Sequence, residues 1–74
     1  MHLSDLKIND IGNIRKINSS DSEVRRLYDL GFVVGSKVSP ILISPSKLIK
    51  AYSIKDSIIA LRDSDASKIE VEYE

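Results

Sequence analysis

Apolar and polar positions along the chain change period between segments, and the changes mark out the elements. Gly12 opens a short segment, Asn13–Ile17, with Ile14 and Ile17 apolar and Arg15 and Lys16 between them. It is predicted as a first strand, although its spacing of three departs from strict alternation. A polar turn, Asn18–Ser22, follows. Ser20 and Glu23 then stand at capping-box spacing, in which the hydroxyl accepts from the Glu23 amide and the carboxylate reaches back to the Ser20 amide. Val24, Leu27 and Tyr28 recur at i, i+3 and i+4, with Leu30 at the edge of the same stripe, which predicts a helix with an apolar face. Gly31 supplies the left-handed residue that closes it. Arg25, Arg26 and Asp29 share the opposite, solvated face, where Asp29 is placed to pair with Arg25 four residues back.

Beyond the helix the period falls to two. Phe32–Gly35 leads into a strand over Lys37–Ile43, and Pro40, which has no N–H, predicts that this strand is at an edge or carries a bulge there. Ser44–Ser46 is a turn and Leu48–Ile54 the next strand. Lys55-Asp56 predicts a tight hairpin into Ser57–Arg62, because Asp tolerates the positive φ that such turns need. Asp63–Lys68 reads as one turn of helix, acidic first and basic last, in keeping with the helix dipole. Ile69–Glu74 alternates apolar and charged residues strictly. The expectation is a single mainly β domain over residues 1–74, a small, partly open barrel of about five strands with one α-helix after the first strand.

Composition narrows the function. Seventy-four residues leave little room for a deep substrate pocket, and the sequence has no cysteine for a disulfide or thiolate site. With one His near the N-terminus and twelve scattered serines, no nucleophile–base arrangement can be named, so the reading is non-enzymatic. His2 stands at a position that is usually frayed, and Asp63 and Asp65 are accounted for as a helix start, so neither a metal site nor a cofactor is expected. Eleven basic residues balance eleven acidic ones, which argues against stable nucleic-acid binding. No apolar run approaches the ~20 residues that cross a bilayer, and Met1–Asp5 lacks the basic-then-apolar order of a secretion signal. A cytoplasmic module without membrane insertion is the expectation.

Three stretches, in order and at matching separations, resemble the FeoA family, the small cytoplasmic partner of the bacterial ferrous-iron transporter FeoB. They are Arg25–Gly35, with its Leu30-Gly31 stop and second glycine at Gly35; Ile59-Ala60-Leu61-Arg62; and Ala66–Val71. Leu3, Leu6 and Gly12 also fall where that family carries a Leu-x-x-Leu and a glycine. The sequence departs from the family pattern at Val34, where a proline is usual, and in the Ser44–Leu48 loop. At Asp56 it departs again, since a glycine commonly precedes the Ala-Leu-Arg strand. The resemblance implies an SH3-like barrel that binds and modulates the cytoplasmic domain of a FeoB-type transporter in ferrous iron uptake. Iron would then be the partner's cargo.

Arg25, Arg26 and Asp29 are the first candidates for a docking surface, since Arg is enriched at interface hot spots and this helix lies outside the sheet. Lys47 and Lys50, with the altered Ser44–Leu48 loop, are the next. Ser20, Glu23, Leu27, Leu30, Gly31, Gly35, Leu61 and Arg62 are read as structural, Arg62 through an ion pair with Asp63 or Asp65. The Leu27-Tyr28-Asp29 echo of the polyproline-binding groove of eukaryotic SH3 domains is set aside, because Tyr28 falls on the apolar stripe and the chain has no Trp. A small β-barrel regulatory or nucleic-acid-binding module is the alternative.

Overall fold

A computed structural model describes all 74 residues. Five antiparallel strands form one sheet in the order β4-β3-β2-β1-β5: β1 (Gly12–Ile17), β2 (Lys37–Ile43), β3 (Ile49–Ile54), β4 (Ser57–Arg62) and β5 (Ile69–Tyr73). Helix α1 (Asp21–Leu30) joins β1 to β2, and a single turn, α2 (Asp63–Ala66), joins β4 to β5. A 3-10 turn over Leu3–Asp5 precedes β1. The core holds Leu3, Leu6, Ile14, Leu27, Phe32, Val38, Tyr52, Ile54, Leu61, Ala66, Ile69 and Val71. Phe32 and Tyr52 meet edge to face at 6.4 Å between ring centroids, the geometry favoured by the ring quadrupole.

The ends of α1 are set by single residues. The Ser20 side chain accepts from the Glu23 amide at the N-cap. At the other end Gly31 adopts φ 106°, its amide donates to the Tyr28 carbonyl, and the Phe32 amide donates to the Leu27 carbonyl. These two bonds form a Schellman motif, and Leu27 and Phe32 supply its apolar contact. The capping box is only half built. The Glu23 carboxylate turns away from the Ser20 amide, accepting from the Ser19 hydroxyl at 3.0 Å and from the Lys68 ammonium at 3.5 Å. An ammonium attracts a carboxylate more strongly than a backbone amide does, and the choice ties α1 to the segment before β5.

Pro40 lies in a strand that is central in the sheet order and not at an edge, so the bulge is the half of the expectation that holds. β1 pairs with β2 only at Gly12–Val38 and Asn13–Lys37, so Pro40 lies beyond the last paired residue on that side. On the β3 side a bulge separates Pro40 from Leu42. The Pro40 carbonyl accepts from the amide of Asn9, which itself takes a positive φ of 70°. The β3–β4 hairpin has Lys55 at φ 45° and Asp56 at φ 62°, as a type I′ turn requires, so Asp stands in for a glycine without loss of register. Gly12 is fixed by close approach: a Cβ there would lie 3.0 Å from Leu6 Cδ1 and 3.2 Å from Val71 Cβ.

The N-terminus is ordered, which corrects the expectation of fraying at His2. The Val71 amide donates to the Met1 carbonyl, His2 bridges Glu70, and Leu3 and Leu6 are core residues. The physical reason is burial: two leucines and a backbone pairing with the free side of β5 outweigh the entropy of a terminal segment.

Two carboxylates stitch the β1–α1 turn to β5. Acceptance from Ser19, reinforced by Lys68, holds Glu23 below the ordinary value of 4.5. Acceptance from the Asn18 amide does the same for Glu70. A carboxyl with a depressed folded-state pKa contributes its stability above the unfolded value and loses it as pH falls through the folded one. The melting temperature is therefore expected to be flat near neutrality and to fall below about pH 4.5. In Glu23→Gln/Glu70→Gln the acid fall should be shallower when followed by circular dichroism. An identical fall would show that other carboxylates carry it.

Candidate interaction surface

The buried stripe of α1 is narrower than its periodicity implies. Leu27 is buried and Val24 half-buried, whereas Tyr28 is 45% exposed and Leu30 also reaches solvent. The reading of Tyr28 as core is thereby corrected. The turn at Gly31 sends Phe32 into the interior directly behind Leu27, and with that slot filled Tyr28 stays outside. Asp21, Val24, Arg25, Tyr28 and Asp29 line a shallow groove of about 360 Å³ along the helix, one residue per half-turn or turn. Arg25 and Arg26 are exposed and make no ion pair, and the expected Arg25–Asp29 bridge is absent. Asp at the negative helix end gains little from closing it. The groove thus presents an unengaged guanidinium, a phenol and two carboxylates, with a second guanidinium alongside.

The other two candidates do not belong together. Lys47 is exposed in the β2–β3 turn at φ 64°, beside Leu48 and Ile49. Lys50 is buried and unavailable for docking, a correction to its place among the candidate contacts. β3 alternates, and Lys50 falls on the inward face with Tyr52 and Ile54. Its ammonium donates to the Ser4 carbonyl at 2.8 Å and stands 4.0 Å from Asp63 Oδ1. It joins the N-terminal turn, β3 and the start of α2. Asp63 is thus drawn to Lys50, and Arg62 is exposed without an ion partner, contrary to the expected local pair.

Two buried polar atoms near Lys50 are foreshadowed by no sequence pattern. Neither the Tyr52 hydroxyl nor Asp63 Oδ1 has a hydrogen-bond partner within the protein. Burial, aided by the Asp63 charge, holds the Tyr52 phenol far above its ordinary range, so it stays protonated at every physiological pH. No three His, Asp or Glu side chains come together in a geometry able to hold a metal ion. Sequence reasoning also missed a set of exposed aliphatics, Leu42, Ile43, Leu48, Ile49 and Ile58, on or beside the outer faces of β2, β3 and β4. The adjacent pair Ile58-Ile59 was the available signal, since in a strand such neighbours point to opposite faces.

The sheet and its single long helix define a small SH3-like domain. The chain belongs to the FeoA family, small accessory domains of ferrous-iron transport; the family's model, described as "FeoA domain", matches residues 1–73. It is 33% identical over 72 residues to an Fe(2+) transport protein A/Fe(2+) transporter FeoB fusion protein of Porphyromonas gingivalis. That match covers 97% of this chain and 8% of the fusion protein's length. The FeoA protein of Chlorobium tepidum superposes with a TM-score of 0.92 at 27% identity, covering 99% of this chain and 70% of that one. Stenotrophomonas maltophilia FeoA, crystallised with zinc and described as a prokaryotic SH3 domain protein, superposes at 0.83 with 28% identity. There the coverage is 97% of this chain and 89% of that one. No helix of this chain is long and apolar enough to cross a membrane.

The Lys50 tether can be tested apart from any partner. Lys50→Met keeps the aliphatic stem, strips the donor from the Ser4 carbonyl and removes the positive charge facing the Asp63 carboxylate. Leaving buried acceptors unpaired costs about 1–3 kcal/mol, and in a domain of this size each kcal/mol lowers the melting point by roughly 4–8 °C. Thermal denaturation should therefore show a drop of several degrees or more. A melting point within about 2 °C of the parent would remove Lys50 from the structural frame.

Proposed function

We propose that this FeoA domain is a non-enzymatic, cytoplasmic accessory of ferrous iron uptake that docks on the cytoplasmic part of a FeoB-type transporter and modulates it. The observation that carries the proposal is the fused relative, in which a sequence 33% identical to this one shares a polypeptide with a FeoB transporter. Covalent linkage raises the effective concentration of one module for the other, which favours parts that act on one another. Iron is the transporter's cargo, and the domain needs no cofactor for this role.

The exposed face of α1, with Arg25, Arg26, Tyr28 and Asp29, is the docking surface we favour. Its arginines are not engaged within the domain, so a partner can use them without breaking an existing ion pair. Tyr and Arg together are the residues most often found at interface hot spots. The remaining charge distribution supports a protein partner over a nucleic acid. Arg15, Lys37, Lys50 and Lys68 are each matched with a carboxylate, which reduces the positive charge offered to a phosphate backbone.

Arg25→Glu/Arg26→Glu is expected to weaken binding to the transporter's isolated cytoplasmic part by several-fold or more in calorimetry. Reversal adds repulsion as well as removing attraction. The fold should be spared, because exposed charges contribute only ~0–1 kcal/mol. Unchanged affinity in a folded double variant would move docking off α1, and Lys47→Glu, measured in parallel, tests the β2–β3 turn.

A further inference from the structure

The two edges of the sheet are treated differently. The outer side of β5 is occupied by the chain's own N-terminal segment, through the Met1–Val71 hydrogen bond and the His2–Glu70 bridge. The outer side of β4 is bare. No residue from Ser57 to Leu61 makes a backbone or side-chain hydrogen bond except through its pairing with β3, and Arg62, the N-cap of α2, adds only its carbonyl to the first turn of that helix. In a hairpin with a two-residue turn the flanking pair, here Ile54 and Ser57, is hydrogen-bonded, and bonded and non-bonded pairs then alternate. The Asp63 amide donating to the Leu48 carbonyl continues that alternation. Ile58 and Ala60 therefore direct their N–H and C=O groups, and Arg62 its N–H, away from β3 into open solvent.

β4 also lacks the devices that guard an edge in a monomer. It has no proline, its pairing with β3 is regular throughout, and Arg62 is the only charge among its exposed residues. Ile58 is 67% exposed, the highest value of any large apolar residue in the chain. Across the outer face, Ala60 pairs with Ala51 and Ala51 with Leu42, so an uncharged row runs from β2 to the bare edge.

We propose that two copies of this chain associate through β4, antiparallel and about a two-fold axis at Ala60, into one continuous sheet. This register engages all three outward residues: Ala60 faces Ala60 of the second copy, and Ile58 faces its Arg62. The Ala60 pair exchanges two backbone hydrogen bonds, and in each Ile58–Arg62 pair the Arg62 amide donates to the Ile58 carbonyl. The register is also the one the charges favour. Arg62 meets an isoleucine, over which its aliphatic stem can lie, and does not meet another arginine. Lys55, in the turn before β4, is carried toward Asp65 at the start of the second copy's α2, so the flanking charges are complementary. The uncharged row doubles, running from Leu42 of one copy to Leu42 of the other. An isologous contact of this kind closes on itself and consumes the edge, so it does not propagate into a fibre.

Sedimentation equilibrium from micromolar to about 1 mM should show a reversible monomer–dimer equilibrium. At the dimer end, exchange of the Ala60 and Arg62 amides should slow relative to dilute protein, while α1 amides are unchanged. Ile58→Lys places an ammonium opposite Arg62 of the second copy and should weaken the dimer about tenfold or more. Ile58→Lys/Arg62→Glu should restore it, because 58 and 62 face each other only between copies. A monomer at every concentration would overturn the proposal, and so would a dimer indifferent to Ile58→Lys. A dimer lost in the single variant and not regained in the folded double variant overturns the register, and with it the proposal. If either variant fails to fold, amide exchange in the parent decides alone. Slowed exchange confined to residues outside β4 would then refute it.

Discussion

Everything in this domain depends on how an open five-stranded sheet is closed at one end by the residues that precede it. Leu3 and Leu6 are among the most completely buried side chains. Ser4 holds the buried Lys50 ammonium, and the Met1 carbonyl takes the Val71 amide. A chain of 74 residues has a small core, and two leucines are a large share of it. The close approach at Gly12 follows from the same closure, since Leu6 Cδ1 occupies the space a side chain would need there. Lys50 then locks the N-terminal turn to β3, and through Asp63 to the turn that feeds β5.

This closure decides which surfaces remain for other molecules. Because the N-terminal segment covers β5, only β4 is left as a bare edge. Phe32 enters the core behind Leu27, so Tyr28 is left outside and the α1 groove acquires its aromatic wall. The domain thus offers other molecules a sheet edge and a shallow helix groove. The two surfaces differ in chemistry. The α1 groove carries unengaged charge, suited to a partner recognised by electrostatic complementarity, whereas the β4 edge carries unpaired backbone and uncharged side chains.

Most of the architecture was legible because local rules and tertiary demands agree. Ser20 and Gly31 bracket α1 as their capping chemistry requires, Lys55-Asp56 turns the hairpin, and Pro40 coincides with a bulge. The illegible parts are those where a long-range partner overrides the local rule. Glu23 abandons the capping box for Lys68, forty-five residues away. Lys50 looks like a surface charge in sequence, yet strand parity turns it inward, where Ser4 and Asp63 receive it. Arg25 and Arg26 were legible as solvent-facing, but their missing ion pair with Asp29 and the exposure of Tyr28 depend on the Gly31 turn. The bare edge of β4 was not legible at all, because strand order is a property of the whole chain.

The central claim, that the N-terminal segment is an integral wall of the barrel, has a direct test in native-state hydrogen exchange. The Val71 amide depends on the Met1 carbonyl, whereas the Tyr52 amide lies on central strand β3, between β2 and β4. If the wall is integral, Val71 exchanges only through global unfolding, with the same opening free energy and denaturant dependence as Tyr52. Exchange of Val71 by local fraying, orders of magnitude faster than Tyr52 and insensitive to denaturant, would contradict the account.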